Sequence, residues 1–544
     1  MHEFVDERTI EGIGFDYVLD RISVTTPYGQ YKKDNMSPFM PGEEEELKEE
    51  LNKIETIVKL IQEHRPSFVN LKTLFAHIKD LRKSINRASA GDALTVVELF
   101  EIKAFVFFLR EIYMTISDID WNVPDDMVIT PIKELEKLFD PKDSGIKTFY
   151  IYDEYSDELK NIRMRKLELG KKIKIEKKKA RDKVKEDLNL NIRPNGEVVI
   201  AKDEKELIKT IEDYPLLTYS SETYMNIKFN LKSTEVVNDL IRELDLLKEV
   251  EEEEEYKVRQ MLSEDVASYK DIIYKNMEAI GTLDLNIAKA YMALDMGGVK
   301  PTISNEPIIS FTQGRHIKLE RHLMEKNREY IPIDMGLTKG VTCITGANMG
   351  GKSVTLKLIG LIISMVQYGL FVPCREIRCG LFEFIFISIG DFQDTDMGLS
   401  TFGGEIKEIQ KALLRSDKKG IILIDELASG TNPQEGSAIS KAIVNYLMNR
   451  NCIVVITTHY DNIANTEGVK HLQVIGLENV DYIDLERELE EQKEYGIDTI
   501  AKYMDYRLKE VKSKSQVPRD ALNIARLMGL DEDIVESAEG ILQE

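Results

Sequence analysis

The sequence predicts a multidomain chain: an α-helical N-terminal part, two long charged helices around a small β insertion, and an α/β domain closed by short C-terminal helices. Three observations predict it. At 544 residues the chain is too long for one hydrophobic core, and a prior of roughly 150 residues per domain suggests about three or four. Apolar residues recur at three- and four-residue spacing through the N-terminal part, the period of a helix face. After about Gly297, short β-branched apolar runs alternate with helical stretches, which is the pattern of helices packed on a largely parallel sheet.

Residues 1–153 read as helical. Glu43–Glu63 and Leu94–Ile116 carry the helical period, and Pro38, Pro41 and Pro124 punctuate it. Residues 154–292 differ. The run from Asp157 to Leu188 is dense in charge with sparse apolar positions, which suits a long exposed helix. A second charged stretch covers about 233–277 and includes the acidic run Glu251 to Glu255. Between them, at about 191–232, RPNGEVVIAKDE and YMNIKFNLK show β-branched alternation and turn signals, the mark of a small β insertion. Two such helices bracketing a tip would make an arm; the alternative is that both charge runs are solvated helix faces. Residues 293–510 carry the α/β pattern. The last segment, 511–544, reads as two short amphipathic helices separated at Gly529.

Composition limits the function classes. The chain is 42% hydrophobic and 31% charged, and no apolar run approaches the roughly 18 residues of a membrane span. The first 20 residues carry acids instead of a basic stretch and an apolar core, so no export signal is evident. The four cysteines fit reduced structural thiols of a cytoplasmic protein, and Cys374 and Cys379 lack metal-ligand spacing. A net charge of −23 opposes contact with a polyanion, so any nucleic-acid surface must be a segregated basic one.

The strongest motif is VTCITGANMGGKSVTLKLIGLII. The apolar strand Val341–Thr345 runs into Gly346, Ala347, Asn348, Met349, Gly350, Gly351, Lys352 and Ser353, and a helical run beginning with Val354 follows. This is G-x₄-G-K-S between a strand and a helix, the phosphate-binding loop of ATP-binding proteins. Glycines let successive N–H groups face phosphate oxygens at a helix N-terminus. Lys352 supplies a charge to the β- and γ-phosphates, and the Ser353 hydroxyl can ligate Mg²⁺. A second apolar run, Ile421–Ile424, delivers Asp425 and Glu426 to a strand end, where Asp425 can hold Mg²⁺ through water and Glu426 can polarise an attacking water. A third, Ile453–Ile456, leads through two threonines to His459. A lone histidine is usually structural, but at this strand end it reads as a γ-phosphate sensor.

Together TGANMGGKS, LSTFGGEI, LIDELASGTNPQEG and TTHY, in this order and spacing across about 300–465, resemble the ATPase domain of the MutS family, an ABC-type P-loop domain. The resemblance implies a Mg²⁺-dependent ATPase. It implies that the loop at Ser400 reaches across a dimer interface to the partner's γ-phosphate, so that a homodimer, or a heterodimer with a related chain, carries composite sites. GTNPQEG is similar to the second, non-mismatch-repair subfamily. GFDYVLDRISVTTPYGQ resembles the start of the family's helical core, the charged helices resemble its lever and clamp, and the C-terminal helices its dimerising element. Tyr330 falls where the family stacks an aromatic on adenine, with core packing as the alternative. The family's mismatch-recognition domain, its Phe-x-Glu wedge and the nuclease-like tail of the second subfamily are expected to be missing.

The first functional expectation is an ATP-driven clamp on mismatched or branched DNA. The basic cluster Lys171, Lys172, Lys174, Lys177, Lys178, Lys179, Arg181, Lys183 and Lys185 is either its DNA-facing surface or a solvated coiled-coil face. The second is the same dimer acting on a protein client, as MutS-like ATPases proposed to reactivate cobalamin-dependent aminomutases do.

Overall fold

The computed structural model describes residues 4–346, 351–389, 401–428, 431–458, 460–477, 504–511 and 530–543, with positions 480, 522, 525 and 526. Two compact units divide the chain: residues 1–76, 119–128 and 278–544 form one, and residues 77–118 and 129–277 the other.

The second unit is helical with one small sheet. Helix Val96–Ser117 starts in a capping box, with Thr95 Oγ1 accepting from the Glu98 N–H and Glu98 returning to the Thr95 N–H. The charged runs form helices Asp157–Leu188 and Glu235–Ser268, capped by Ser156 and Thr234. Between them lie strands β1 (Glu197–Ala201), β2 (Leu217–Glu222) and β3 (Asn226–Leu231), antiparallel in the order β1-β3-β2. With helix Lys205–Glu212 they enclose a small core of Val198, Ile200, Ile211, Leu217 and Phe229, to which Val184 of the first long helix adds.

The two long helices pack along each other through ion pairs. Arg163 bonds Asp153, Glu251 and Glu255 at 2.6, 3.0 and 2.6 Å, and Lys166 bonds Glu251. The Ser156 hydroxyl donates to Glu254 at 2.7 Å. Part of the acidic run is therefore matched to the basic helix. The lysines from Lys171 to Lys185 are instead exposed, with Arg181 half-buried.

In the first unit, helix Glu44–Glu63 buries Leu47, Leu51, Ile54 and Ile61, the positions its period marks. Asp284, buried on helix Lys270–Asp295, accepts from the N–H groups of Thr25 and Thr26 and from the Thr26 hydroxyl, so it fixes the start of helix Pro27–Asp34. Ten strands follow: β4 (Thr302–Ser304), β5 (Ile308–Gly314), β6 (Ile333–Thr338), β7 (Gly340–Thr345), β8 (Glu376–Gly380), β9 (Phe384–Ser388), β10 (Gly420–Ile424), β11 (Cys452–Thr457), β12 (Lys470–Gly476) and β13 (Asp505–Glu510). One sheet has the order β4-β8-β5-β6. The other has the order β13-β12-β7-β11-β10-β9, parallel except for β13. Strands β10 and β11 are buried throughout and β7 nearly so, which is why their sequences read as unbroken apolar runs.

Helix Glu532–Gln543 lies in the C-terminal segment; most of the helix expected before Gly529 is outside the described residues. No described helix is long and apolar enough to cross a membrane.

Candidate nucleotide site

Register places the site. In the parallel sheet Ile424 pairs with Ile456 and Ser388, and Ile344 with Thr457. The chain thus leaves β7, β10 and β11 at one edge, the carboxyl edge where open α/β sheets bind ligands. Gly346 follows β7, Asp425 and Glu426 follow β10, and Thr457 ends β11.

Gly346 and Gly351 bound the segment read from sequence as the phosphate loop. Gly346 has φ 134° and Gly351 φ 78°, backbone conformations that favour glycine. Space forbids a side chain as well: a Cβ at Gly346 would meet Val474 of β12 at 3.0 Å, and one at Gly351 would meet the Tyr506 ring of β13 at 2.8 Å. Gly351 is the N-cap of helix Lys352–Gln367, with no side chain capping it, so the first helical N–H groups are available to an anion.

Lys352 is buried, and its Nζ donates to the Gly346 carbonyl at 2.9 Å. Burial pushes its ammonium below the ordinary lysine range, while the charges of Glu426 and Asp425 act against that shift. The structure thus brings the lysine and the two acids into one electrostatic group. Ser353 and Val354 follow on the first turn, both half-buried.

Thr457 organises the acids. Its hydroxyl donates to Asp425 Oδ1 at 2.5 Å and accepts from the Glu426 N–H at 2.8 Å, and the Asp425 N–H donates to the Ser388 carbonyl at 2.8 Å. Glu426 and Ala428 sit at φ 49° and 59°, a left-handed conformation costly for non-glycine residues and concentrated at functional sites. The Ala428 N–H donates to Glu405 Oε1 at 2.7 Å. Glu405 lies on helix Thr401–Arg415, so the residues after Ser400 are tied to the loop after the acidic pair. On the other side of β7, the Thr345 hydroxyl lies 2.8 Å from His471 Nε2 in the core.

Residues 342–544 match MutS domain V. Endonuclease MutS2 of Halothermothrix orenii is 28% identical over 511 residues, 86% of this chain and 60% of that protein. The Bacillus cytotoxicus protein of the same name is 30% identical over 489 residues, 86% and 59%. That of Caldicellulosiruptor bescii is 28% identical over 565 residues, 99% and 65%. The chain carries a MutS-family domain over residues 342–544. It spans about 60% of the length of the first of these relatives.

Within this MutS-family domain, the sheet edge gathers Gly346, Gly351, Lys352, Asp425 and Glu426. Ala347, Asn348, Met349, Gly350, Ser400 and His459 lie outside the described residues. Tyr330 is buried, 9% exposed, and its hydroxyl has no hydrogen-bond partner; burial pushes that hydroxyl up to about 12. Among the described residues no three His, Cys, Asp or Glu side chains are placed to hold a metal. Reading the motifs alone missed Thr457, Glu405, His471 and Tyr506. The first two sit inside quoted motifs, as a polar residue ending an apolar strand and an acid after two glycines. Nothing local marks the other two.

Proposed function

We propose that the chain binds and hydrolyses ATP at this sheet edge and that the cycle opens and closes a dimeric clamp on mismatched or branched DNA. The observation that carries the reading is the grouping of buried Lys352 with Asp425 and Glu426, beside an uncapped helix start reached through Gly346 and Gly351. Lys352 would exchange its bond to the Gly346 carbonyl for β- and γ-phosphate oxygens, whose charge keeps its ammonium protonated despite burial. The N–H groups from Ala347 to Ser353 would cradle the phosphates, with Val354 continuing the helix. Ser353 and Asp425 fit magnesium, which supplies charge neutralisation on the phosphates when bound. Glu426 orients and polarises the attacking water, and Thr457 holds both acids in place. His459 reads the γ-phosphate, and Ser400 acts on the partner's nucleotide in a composite site. Tyr330 is assigned to adenine stacking on the family resemblance alone.

On the same reading residues 1–153 are the core, 154–292 the lever helices with the clamp insertion, 293–510 the ATPase domain and 511–544 the dimerising element. Lys171, Lys172, Lys178 and Lys179, all exposed, are the surface assigned to DNA. Steady-state ATPase measured with duplex, mismatched and branched DNA over a salt series tests the proposal. Stimulation that fades steeply with salt supports it, because phosphate contacts release counterions. A rate indifferent to every DNA, with no binding at low salt, would refute the clamp and leave the protein-client reading, which the net charge of −23 favours.

A further inference from the structure

A second recess opens in the same compact unit, apart from the nucleotide edge. It is a cleft of about 420 Å³ between the Gly12–Tyr17 segment, helix Ile317–Glu325 and Lys357 of the helix that follows the phosphate loop. None of Gly346, Lys352, Asp425 and Glu426 lines it. The volume is in the range of small-molecule sites.

Two independent features mark it as a site. His316 lines the cleft at 2% exposure, and neither ring nitrogen makes a hydrogen bond of ordinary geometry, although the Ile13 carbonyl lies near enough to act on the ring. A neutral imidazole carries one donor and one acceptor, and buried groups of this kind are rarely left unpaired. His316 is also the N-cap of helix Ile317–Glu325, and its side chain makes no capping bond. The first N–H groups of that nine-residue helix therefore have no intrahelical acceptor, and the helix dipole is positive there.

Cations surround this helix start. Lys318, Arg321 and Lys357 line the cleft with His322. Lys318 reaches Asp16 only at 3.7 Å, and Arg321 is shared between the Tyr17 hydroxyl and Glu325, the latter at 3.5 Å. Gly14 keeps the arrangement open. Its φ is 73°, and a Cβ there would lie 3.1 Å from His316 Cε1 and 3.3 Å from Lys318 Cδ. Donors, cations and a positive helix end converge on one place, which is the chemistry of a phosphate subsite. The remaining lining is different in kind. Leu319 and the Tyr17 ring are apolar, and the Glu11 and Glu325 carboxylates can accept from hydroxyls.

We propose that this cleft binds a small phosphomonoester carrying a hydroxylated organic part, with the phosphate on His316 and the start of helix Ile317–Glu325. The site is separate from the ATP site and does not depend on it.

The test follows the His316 ring resonances by nitrogen-correlated NMR in the full chain carrying Lys352→Ala, which weakens competition from the phosphate loop. The probes are ribose 5-phosphate, AMP, inorganic phosphate and ribose. The expected result is a saturable shift with one or both phosphomonoesters, weaker binding of inorganic phosphate and none of ribose. Lys318→Glu, at an exposed position, with Lys357→Glu, at a half-buried one, should weaken the phosphomonoester by about tenfold or more. An unmoved His316 ring at millimolar concentrations of every probe would overturn the proposal. So would a shift that the double charge reversal leaves unchanged, or equal affinity for inorganic phosphate and both esters.

Discussion

Glu426 and Ala428 hold left-handed backbone that costs about 1–2 kcal/mol each in non-glycine residues, and each N–H is tied down by a side chain from another element. Thr457 takes the first and Glu405 the second. The acidic pair is thus presented by a backbone shape its own sequence disfavours, held by hydrogen bonds from β11 and helix Thr401–Arg415. Two substitutions separate chemistry from positioning. Glu426→Gln keeps the size and hydrogen-bonding shape of the side chain but loses the charge proposed to polarise water. ATP affinity should stay near wild type while kcat falls by about 10²–10³; wild-type turnover would remove Glu426 from the mechanism. Burial raises the Glu405 carboxyl above its ordinary range, opposed by the Ala428 N–H, and the bond to that N–H requires only an acceptor oxygen. Glu405→Ala should cut kcat by about tenfold with little change in nucleotide affinity, and Glu405→Gln, which keeps an acceptor oxygen, should restore most of it. Equal losses in both variants would point to the charge instead.

At the scale of elements, legibility tracked how local the cause was. Strands β7, β10 and β11 are buried on both faces, so their apolar runs and the polar residues ending them were plain, and with them Lys352, Asp425 and Glu426. Helix Glu44–Glu63 was read within a residue of its start because its stripe is regular. The four-stranded sheet β4-β8-β5-β6 was not foreseen: β8 is inserted between strands remote in sequence, and such pairing leaves no local period. Helix Lys205–Glu212 was hidden inside a segment read as β, and Tyr506 and His471 act only through tertiary placement. The charged helices carried an ambiguity that packing resolves in part. Arg163 is mostly shielded from solvent and bonds three carboxylates, one of them on Glu251, whose side chain is 14% exposed. An isolated surface pair contributes little, but removing the shared cation leaves half-buried acids facing one another. Arg163→Ala should lower the stability of the helix pair by about 2 kcal/mol in urea unfolding, more in low salt than in high. A loss within the roughly 0.5 kcal/mol of ordinary surface changes would mean that apolar contacts alone hold these helices together.

For the whole molecule, a net charge of −23 means that acidification relieves self-repulsion, while a buried base that must gain a proton acts against it. His316 is such a group. Burial, reinforced by the charges of Lys357 and Lys318, holds its imidazolium pKa down at about 4, with the Ile13 carbonyl as the main opposing influence. Glu11, Glu325, Tyr17, Arg321 and His322 share the cleft. In the unfolded chain the same ring titrates near 6.5, so the unfolded state takes up the proton first. Stability from the neutral ring is then fully present above about pH 6.5 and is lost as pH falls toward 4, amounting to about 3 kcal/mol over that window. Asp284 runs the opposite way, since burial raises its carboxyl, and other acids will add their own slopes. Comparing wild type with His316→Phe cancels those shared contributions. In phosphate-free buffer the wild type should lose about 3 kcal/mol more than the variant between pH 7 and pH 4, and a phosphomonoester in the cleft should shrink that difference by giving the protonated ring a partner. Parallel stability curves for the two proteins would show that His316 is not held neutral in the fold.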